Sequence, residues 1–259
     1  MRALLLTITY IGGPTALLEL GGLRVLTDPT FDPAGSEYRT PVYRLRKTQG
    51  PALSAEAVGP VDVVLLSHDQ HFDNLDRAGR RLLETAARVL TTVDGAARLG
   101  GNAVGLAPWQ SYELATRDGR TLRITATPAQ HGPAGADRGP VIGFVLAFAE
   151  DSARAAYVSG DTVWFGGVAE VGRRFAPGVA VLFMGAARVP EVGPAHLTFT
   201  AEEAVRAARA LPDARIVPLH FEGWEHFSES RAAVVRAFAA AGLADRLCWP
   251  IPGQAVELP

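Results

Sequence analysis

The run Val61-Asp62-Val63-Val64-Leu65-Leu66-Ser67 passes directly into His68-Asp69-Gln70-His71-Phe72-Asp73-Asn74. A short stretch rich in valine and leucine reads as a buried strand, and here that strand ends in two histidines and two aspartates. A strand end holds the side chains that follow it on one edge. Imidazole nitrogens and carboxylate oxygens fixed there are the donors of a divalent-metal site. The stretch therefore predicts a metal-dependent hydrolase, and the rest of the chain can be read outward from it.

Upstream, Leu4 to Ile11, Ala16 to Leu20 and Leu23 to Thr27 read as a β-meander, separated by the turn signals Gly12-Gly13-Pro14 and Gly21-Gly22. Asp28 to Ala57 is rich in proline and glycine without a clear period, and is expected to be a long loop of the kind that often carries function. Downstream, Leu75, Ala78, Leu82, Leu83 and Ala86 recur at helical spacing, and Arg88 to Thr92 returns to a strand. In the second half, strands are expected at Thr121 to Thr127, Val141 to Ala149, Ala155 to Ser159, Val179 to Phe183 and Arg215 to Leu219. Thr200 with Glu203 forms a capping-box pattern opening a helix over Ala201 to Leu211, and a last helix over Ser228 to Ala241 stops at Gly242. Strands and helices interleaved in both halves imply packed sheets covered by helices.

Composition narrows the function classes. The 259 residues are 48% apolar and 20% charged, enough to bury a large core. The net charge is -2 and the arginines are scattered, so no stripe is present to neutralise successive phosphates, and nucleic acid is not an expected partner. A single cysteine, Cys248, excludes an internal disulfide and points to a cytoplasmic setting. Residues 1–7 lack a cleavable leader pattern, and no segment has the ~20 apolar residues of a membrane span.

His68 and His71 follow one expected strand, His131 follows another across Pro128-Ala129-Gln130, and His220 ends a third. Asp161 lies just past a fourth, after Gly160. If these strands share a sandwich, their loops gather on one edge.

At these residues the chain resembles the metallo-β-lactamase-fold hydrolases. The likeness runs through Gly12-Gly13-Pro14-Thr15, Thr27-Asp28-Pro29, the loop at 68–74, Pro128-Ala129-Gln130-His131, Ser159-Gly160-Asp161-Thr162 and Pro218-Leu219-His220. The branch of N-acyl-phosphatidylethanolamine phospholipase D and L-ascorbate-6-phosphate lactonase is the most similar. The resemblance implies an α/β (α+β) fold, a four-layer αββα sandwich of two mixed β-sheets flanked by helices. A single domain over 1–259, built from two similar halves, would hold one or two metal ions in a groove at its edge. Zinc is the first expectation, with manganese and iron as alternatives.

The family motif H-x-H-x-D-H is altered here. His71-Phe72-Asp73-Asn74 matches its last four positions with asparagine in the place of histidine, and His68 stands one residue further upstream, as if the loop carried an extra residue. By resemblance, His68, His71 and His131 form the first site, and Asp161 bridges to a second site of Asp73 and His220. Asn74 is either a weak neutral ligand or the N-cap of the following helix. A metal-bound hydroxide would then cleave a phosphodiester, phosphorylated lactone or related small ester, with Asp73 orienting the water. The alternative is a degenerate, non-catalytic metal- or ligand-binding member of the fold. Asp28 and Asp69 are candidates to hold ligand histidines through their second ring nitrogens, and Asp28 reads equally as a turn residue before Pro29. His196 is a candidate substrate contact or proton donor, or else a solvated loop histidine. His226 reads as a surface or structural residue, Trp164 as a candidate pocket wall, and Arg188 with the arginines of the 39–46 loop as candidate contacts for an anionic small-molecule substrate. Homo-oligomerisation stays open.

Overall fold

Period-two alternation of apolar side chains on strand after strand builds a core with two sides. The computed structural model describes residues 5–258, so Leu4 and the leader reading of the first residues lie outside the described residues. Among the described residues one sheet has the order β15-β1-β2-β3-β6-β7-β8, with β1 at Leu6–Gly12, β2 at Thr15–Leu20, β3 at Leu23–Thr27, β6 at Val63–Leu65, β7 at Arg88–Thr91, β8 at Ala103–Gly105 and β15 at Ala255–Leu258. The other has the order β14-β13-β12-β11-β10-β9, with β9 at Ser111–Ala115, β10 at Thr121–Pro128, β11 at Ile142–Phe148, β12 at Asp151–Val158, β13 at Val179–Phe183 and β14 at Arg215–Leu219.

Ile8, Val25, Val63 and Leu65 of the first sheet pack against Ile124, Phe144, Val181 and Phe183 of the second, all fully buried. The alternate residues face outward. Leu26, Val64 and Val89 meet Leu82 and Leu83 of α2 (Arg77–Leu83). Val145, Tyr157, Ala180 and Leu182 meet α4 (Gly166–Phe175), α5 (Ala201–Ala210) and α6 (Arg231–Ala240). Helices therefore flank both sheets, giving the expected four-layer αββα sandwich. α1 (Ala55–Val58) and α3 (Val93–Leu99) complete the helices on the first sheet's side.

The direction of the strands places the site. β3, β6, β7 and β8 run parallel, as do β12, β13 and β14. β10 is antiparallel to β11, which is antiparallel to β12, so β10 points the same way as β12. The carboxyl ends of β10, β12 and β14 thus emerge on one edge, and an open α/β sheet offers its ligand crevice there. Cross-links join this edge to the corresponding edge of the first sheet, with Ile142 N–H donating to the Ser67 carbonyl (3.1 Å) and His220 N–H to that of Gly13 (2.9 Å). Gly160 sits in this seam with φ of 59°, where a Cβ would lie 2.6 Å from the Ile142 oxygen and 2.8 Å from Ser67 Cβ. Only glycine accepts that backbone without strain.

Two expectations are corrected. The N-cap of α2 is Asp76, whose Oδ1 accepts from Gly79 N–H at 2.8 Å, so Asn74 is not the cap. The long loop at 28–57 contains a hairpin, β4 (Glu37–Arg39) with β5 (Arg44–Arg46), besides α1. Three-residue strands carry almost no periodic signal, and this hairpin is stabilised from outside. Lys47, the chain's only lysine, is buried and donates from Nζ to the Thr30 carbonyl (2.9 Å) and to Asp76 Oδ2 (3.0 Å). Asp76 Oδ2 also accepts from Asp32 N–H, and Asp32 Oδ2 accepts from the Tyr38 hydroxyl at 2.7 Å. The loop and the start of α2 are tied through one ammonium group. Removing one partner of a buried pair leaves an uncompensated charge. Lys47→Met is expected to lower stability by about 3–5 kcal/mol in urea unfolding; an unchanged midpoint would show that the pair does not hold the loop.

Candidate metal centre

Three histidines from two loops bring their nitrogens together. His68 Nε2 lies 2.8 Å from His71 Nδ1, which lies 3.0 Å from His131 Nε2. Their remaining ring atoms define what those nitrogens carry. His131 Nδ1 faces the Leu197 carbonyl at 2.8 Å, an acceptor only, so Nδ1 holds the proton and Nε2 is a bare lone pair in the neutral ring. The Ser67 hydroxyl donates to Asp28 Oδ1 (2.7 Å) and accepts from His68 Nδ1 (2.9 Å), leaving a second bare lone pair on His68 Nε2. One proton on His71 Nδ1 satisfies at most one of them, whereas one cation takes up all three. Burial pushes the His68 imidazole well below its ordinary range, with His71 and His131 adding to it. Burial and His131 bring His71 down to about 4. Both imidazoles are thereby held in their neutral, lone-pair-bearing form.

Beside it, Asp73, Asp161 and His220 form a second group of donors. His220 Nε2 stands 3.5 Å from Asp73 Oδ2 and 3.5 Å from Asp161 Oδ1, while Asp161 Oδ2 stands 3.6 Å from His131 Nε2. One carboxylate therefore spans both groups. Both Asp161 oxygens and both His220 ring nitrogens are buried without a hydrogen-bond partner. Burial disfavours charge on both aspartates, yet His226 and His220 hold Asp73, and His220, His131 and His68 hold Asp161, well below the carboxylate range. Burial also opposes the His220 cation, but Asp161 and Asp73 outweigh it and push its pKa up to about 10. Two buried carboxylates demand positive charge, which a divalent ion supplies. The residues present fit one.

The expected ligand set His68, His71, Asp73, His131, Asp161 and His220 is thus brought to one place, and the motif's departures do not scatter it. Gln70 is exposed, while His68 is buried and its Nε2 meets His71. Asn74 is fully buried, and its amide nitrogen and oxygen have no partner. Of the two aspartates proposed to steady histidines, Asp28 does so through Ser67, accepting from both its N–H (2.9 Å) and its hydroxyl. Asp28 has φ of 23° and His220 of 54°, so both hold left-handed backbone at the site edge, a strain the surrounding packing sustains. Asp69 instead receives the Arg98 guanidinium, Nε to Oδ2 at 2.9 Å, and anchors the outer side of the loop.

A cavity of about 40 Å³ opens over the donors, lined by His71, Asp73, His131 and His226 together with Tyr43, Leu45, Val189, Leu197 and Arg138. His196 is not among its lining residues; its neighbour Leu197 supplies both a wall and the carbonyl that fixes His131. Trp164 packs with the helices behind the second sheet, under the Arg206 guanidinium, and not on the cavity. His226 is the residue that sequence reasoning misplaced: its side chain is 8% exposed, with Nε2 3.0 Å from Asp73 Oδ2. Arg138 and Tyr43 gave no signal in the sequence, since they lie on irregular segments.

Comparison with known proteins agrees with this geometry. A metal-dependent hydrolase of Caldivirga maquilingensis is 26% identical over 97% of this chain and 98% of its own length. The solved isothiocyanate hydrolase from Delia radicum gut bacteria superposes with a TM-score of 0.80 at 26% identity, covering 96% of this chain and 98% of that one. Igni18, a metallo hydrolase of Ignicoccus hospitalis, shares the fold with a TM-score of 0.74 at 22% identity, covering 98% of this chain and 99% of its own. Residues 23–221 match the model of the Beta-lactamase superfamily domain, and the chain belongs to that family as a metal-dependent hydrolase.

Proposed function

We propose that this protein hydrolyses small electrophiles whose apolar part fills the cavity over the two donor groups, with isothiocyanates as the leading substrate class. The observation that carries this reading is the juxtaposition itself, a mainly apolar pocket of about 40 Å³ whose floor is His71, Asp73 and His131. The relative that acts on an isothiocyanate, 26% identical across nearly the full length of both chains, supports the substrate class. Small esters, lactones and phosphodiesters form the second reading, favoured by Arg138, which is among the residues lining the same cavity. The likeness to the phospholipase D and ascorbate-phosphate lactonase branch belongs with that second reading.

In this proposal His68, His71 and His131 hold one ion, and Asp73, Asp161 and His220 a second, with Asp161 facing both. A bound divalent ion lowers the pKa of a coordinated water from 15.7 to about 7 and polarises the group under attack. Zinc suits the three-imidazole group, and the carboxylate-rich group also accepts manganese or iron. The chain's own residues do the remaining work. Leu197 and Ser67 fix the tautomers of His131 and His68, Asp73 orients the attacking water, and Leu45, Val189 and Leu197 exclude bulk solvent. The substrate's apolar substituent lies against those walls, with its electrophilic carbon or phosphorus toward the floor. No helix among the described residues is long and apolar enough to cross a membrane.

Elemental analysis of protein purified without added metal should find bound divalent ions, and chelation should abolish turnover of an isothiocyanate and ester panel. His131→Ala should lose metal and lower kcat/KM by more than roughly 10²-fold, because a direct ligand matters more than its support. Retained turnover in that variant would overturn the assignment. Ser67→Ala, which removes only the link between Asp28 and His68, should weaken metal affinity by roughly 10–100-fold while leaving the fold intact. Arg138→Met separates the substrate readings. A raised KM of about 10–100-fold for anionic esters with unchanged isothiocyanate kinetics is the expected result if the guanidinium meets only anionic groups.

A further inference from the structure

We infer that Tyr43 is a catalytic residue, its phenolic O–H donating to the substrate atom that takes up an electron pair when water adds. This rests on the hydrolase reading above and gives the site a proton donor. Tyr43 lines the cavity whose floor is His71, Asp73 and His131. The chain aims it there. Tyr43 immediately precedes β5 and shares a face with Leu45, two residues on, while Arg44 and Arg46 stand exposed on the opposite face. Its side chain packs against the cluster that contains Leu45, Val189 and Leu197, the walls assigned to the substrate's apolar part. The turn before it fixes the backbone. Thr40 Oγ1 accepts from Tyr43 N–H (3.0 Å), and Thr40 N–H (2.9 Å) and hydroxyl (3.0 Å) donate to the Tyr43 carbonyl.

The framework leaves that hydroxyl free. Tyr10 donates to Glu222 (3.2 Å) and Tyr38 to Asp32 (2.7 Å), whereas among the described residues the Tyr43 hydroxyl has no hydrogen-bond partner. Arg138, the cavity's other side-chain donor besides the histidines, already gives one of its nitrogens to the Val192 carbonyl. An ordinary phenol keeps its proton at neutral pH. Burial and the Asp73 carboxylate push this one higher, against the opposing Arg138 guanidinium. With water attacking from the floor and the apolar substituent against Leu45, the atom joining that substituent to the electrophilic carbon faces Tyr43. In an isothiocyanate this atom is the nitrogen. As the water oxygen bonds to carbon, the electron pair of the C=N π bond moves to nitrogen. The phenol gives its proton to that nitrogen and regains one from the water, whose second proton stays with the adduct, R–NH–C(=O)–SH. In an ester the C–O bond breaks with its pair on the departing oxygen, which the same route protonates. A positioned acid of this kind typically contributes about 10²–10⁴-fold.

Kinetics of wild type and Tyr43→Phe on substituted phenyl isothiocyanates and phenyl acetates, with metal content measured alongside, test the assignment. The ring substituents grade the basicity of the nitrogen or oxygen that receives the proton, so either series suffices. The variant lacks one oxygen and should keep wild-type metal content. Its kcat should fall by about 10²-fold or more with KM unchanged, the pattern of an interaction made only in the transition state. The loss should be largest where the accepting atom is most basic and smallest for the p-nitro members, which depart with the least need of a proton. A uniform loss across the series, or loss of metal, would make Tyr43 a structural residue, and an unchanged kcat would make it a wall only. Each of these would overturn the inference while leaving the hydrolase reading intact. A metal-loaded wild type inert toward both series would overturn the inference together with the substrate classes it rests on.

Discussion

Six donor groups from four strand ends meet where water is largely excluded, and that crowding is unfavourable unless a cation takes it up. Bare lone pairs on His68 and His131 face a third imidazole at hydrogen-bond distance, and two carboxylates lie fully or nearly fully buried beside them. Desolvation of such groups costs several kcal/mol per charge in a protein interior. The fold tolerates this arrangement because the inter-sheet core, built from residues such as Ile8, Val63, Phe144 and Val181, holds the strand ends in place. Stability is drawn from the apolar layers, and the edge is left free to be chemically strained.

The supports of the site are graded. Closest in, Leu197 and Ser67 determine which nitrogen of each histidine carries a proton, and Asp28 in turn orients Ser67. Further out, Arg98 grips Asp69 and Lys47 grips Asp76, so the metal loop is clamped at its outer bend and at its exit into α2. These charge pairs fix both ends of a loop that departs from the motif it resembles. Gln70 stands exposed to solvent, while His68 and His71 bring their nitrogens together inside.

The same edge explains the shape of the pocket. Its walls come from the β4–β5 hairpin, through Tyr43 and Leu45, and from the segment after β13, through Ala187, Val189 and Leu197. Both are peripheral to the two large sheets, where binding specificity can change without disturbing the core. An apolar wall close to the donors accords with the small, mostly uncharged substrate proposed above, and Arg138 is the charged residue on that wall.

Sequence by itself determined the layers and the chemical kinds of donor. The unbroken apolar run Val63, Val64, Leu65 and Leu66 calls for a strand buried on both faces, the Thr200–Glu203 pair sets the start of α5, and His68, His71, His131, Asp161 and His220 each follow a strand. These are local signals carried within a few residues. Tertiary structure alone decided that the strand ends share an edge, that Asp76 and not Asn74 caps α2, that Asp69 belongs to Arg98, and that Lys47 ties a hairpin hidden in an aperiodic loop. It also decided that His226, which reads as structural, faces Asp73 across 153 residues of chain. The physical reason is range: side-chain periodicity and capping act within one turn or one pleat. The direction in which an irregular loop delivers a side chain is set by contacts between segments far apart in the chain.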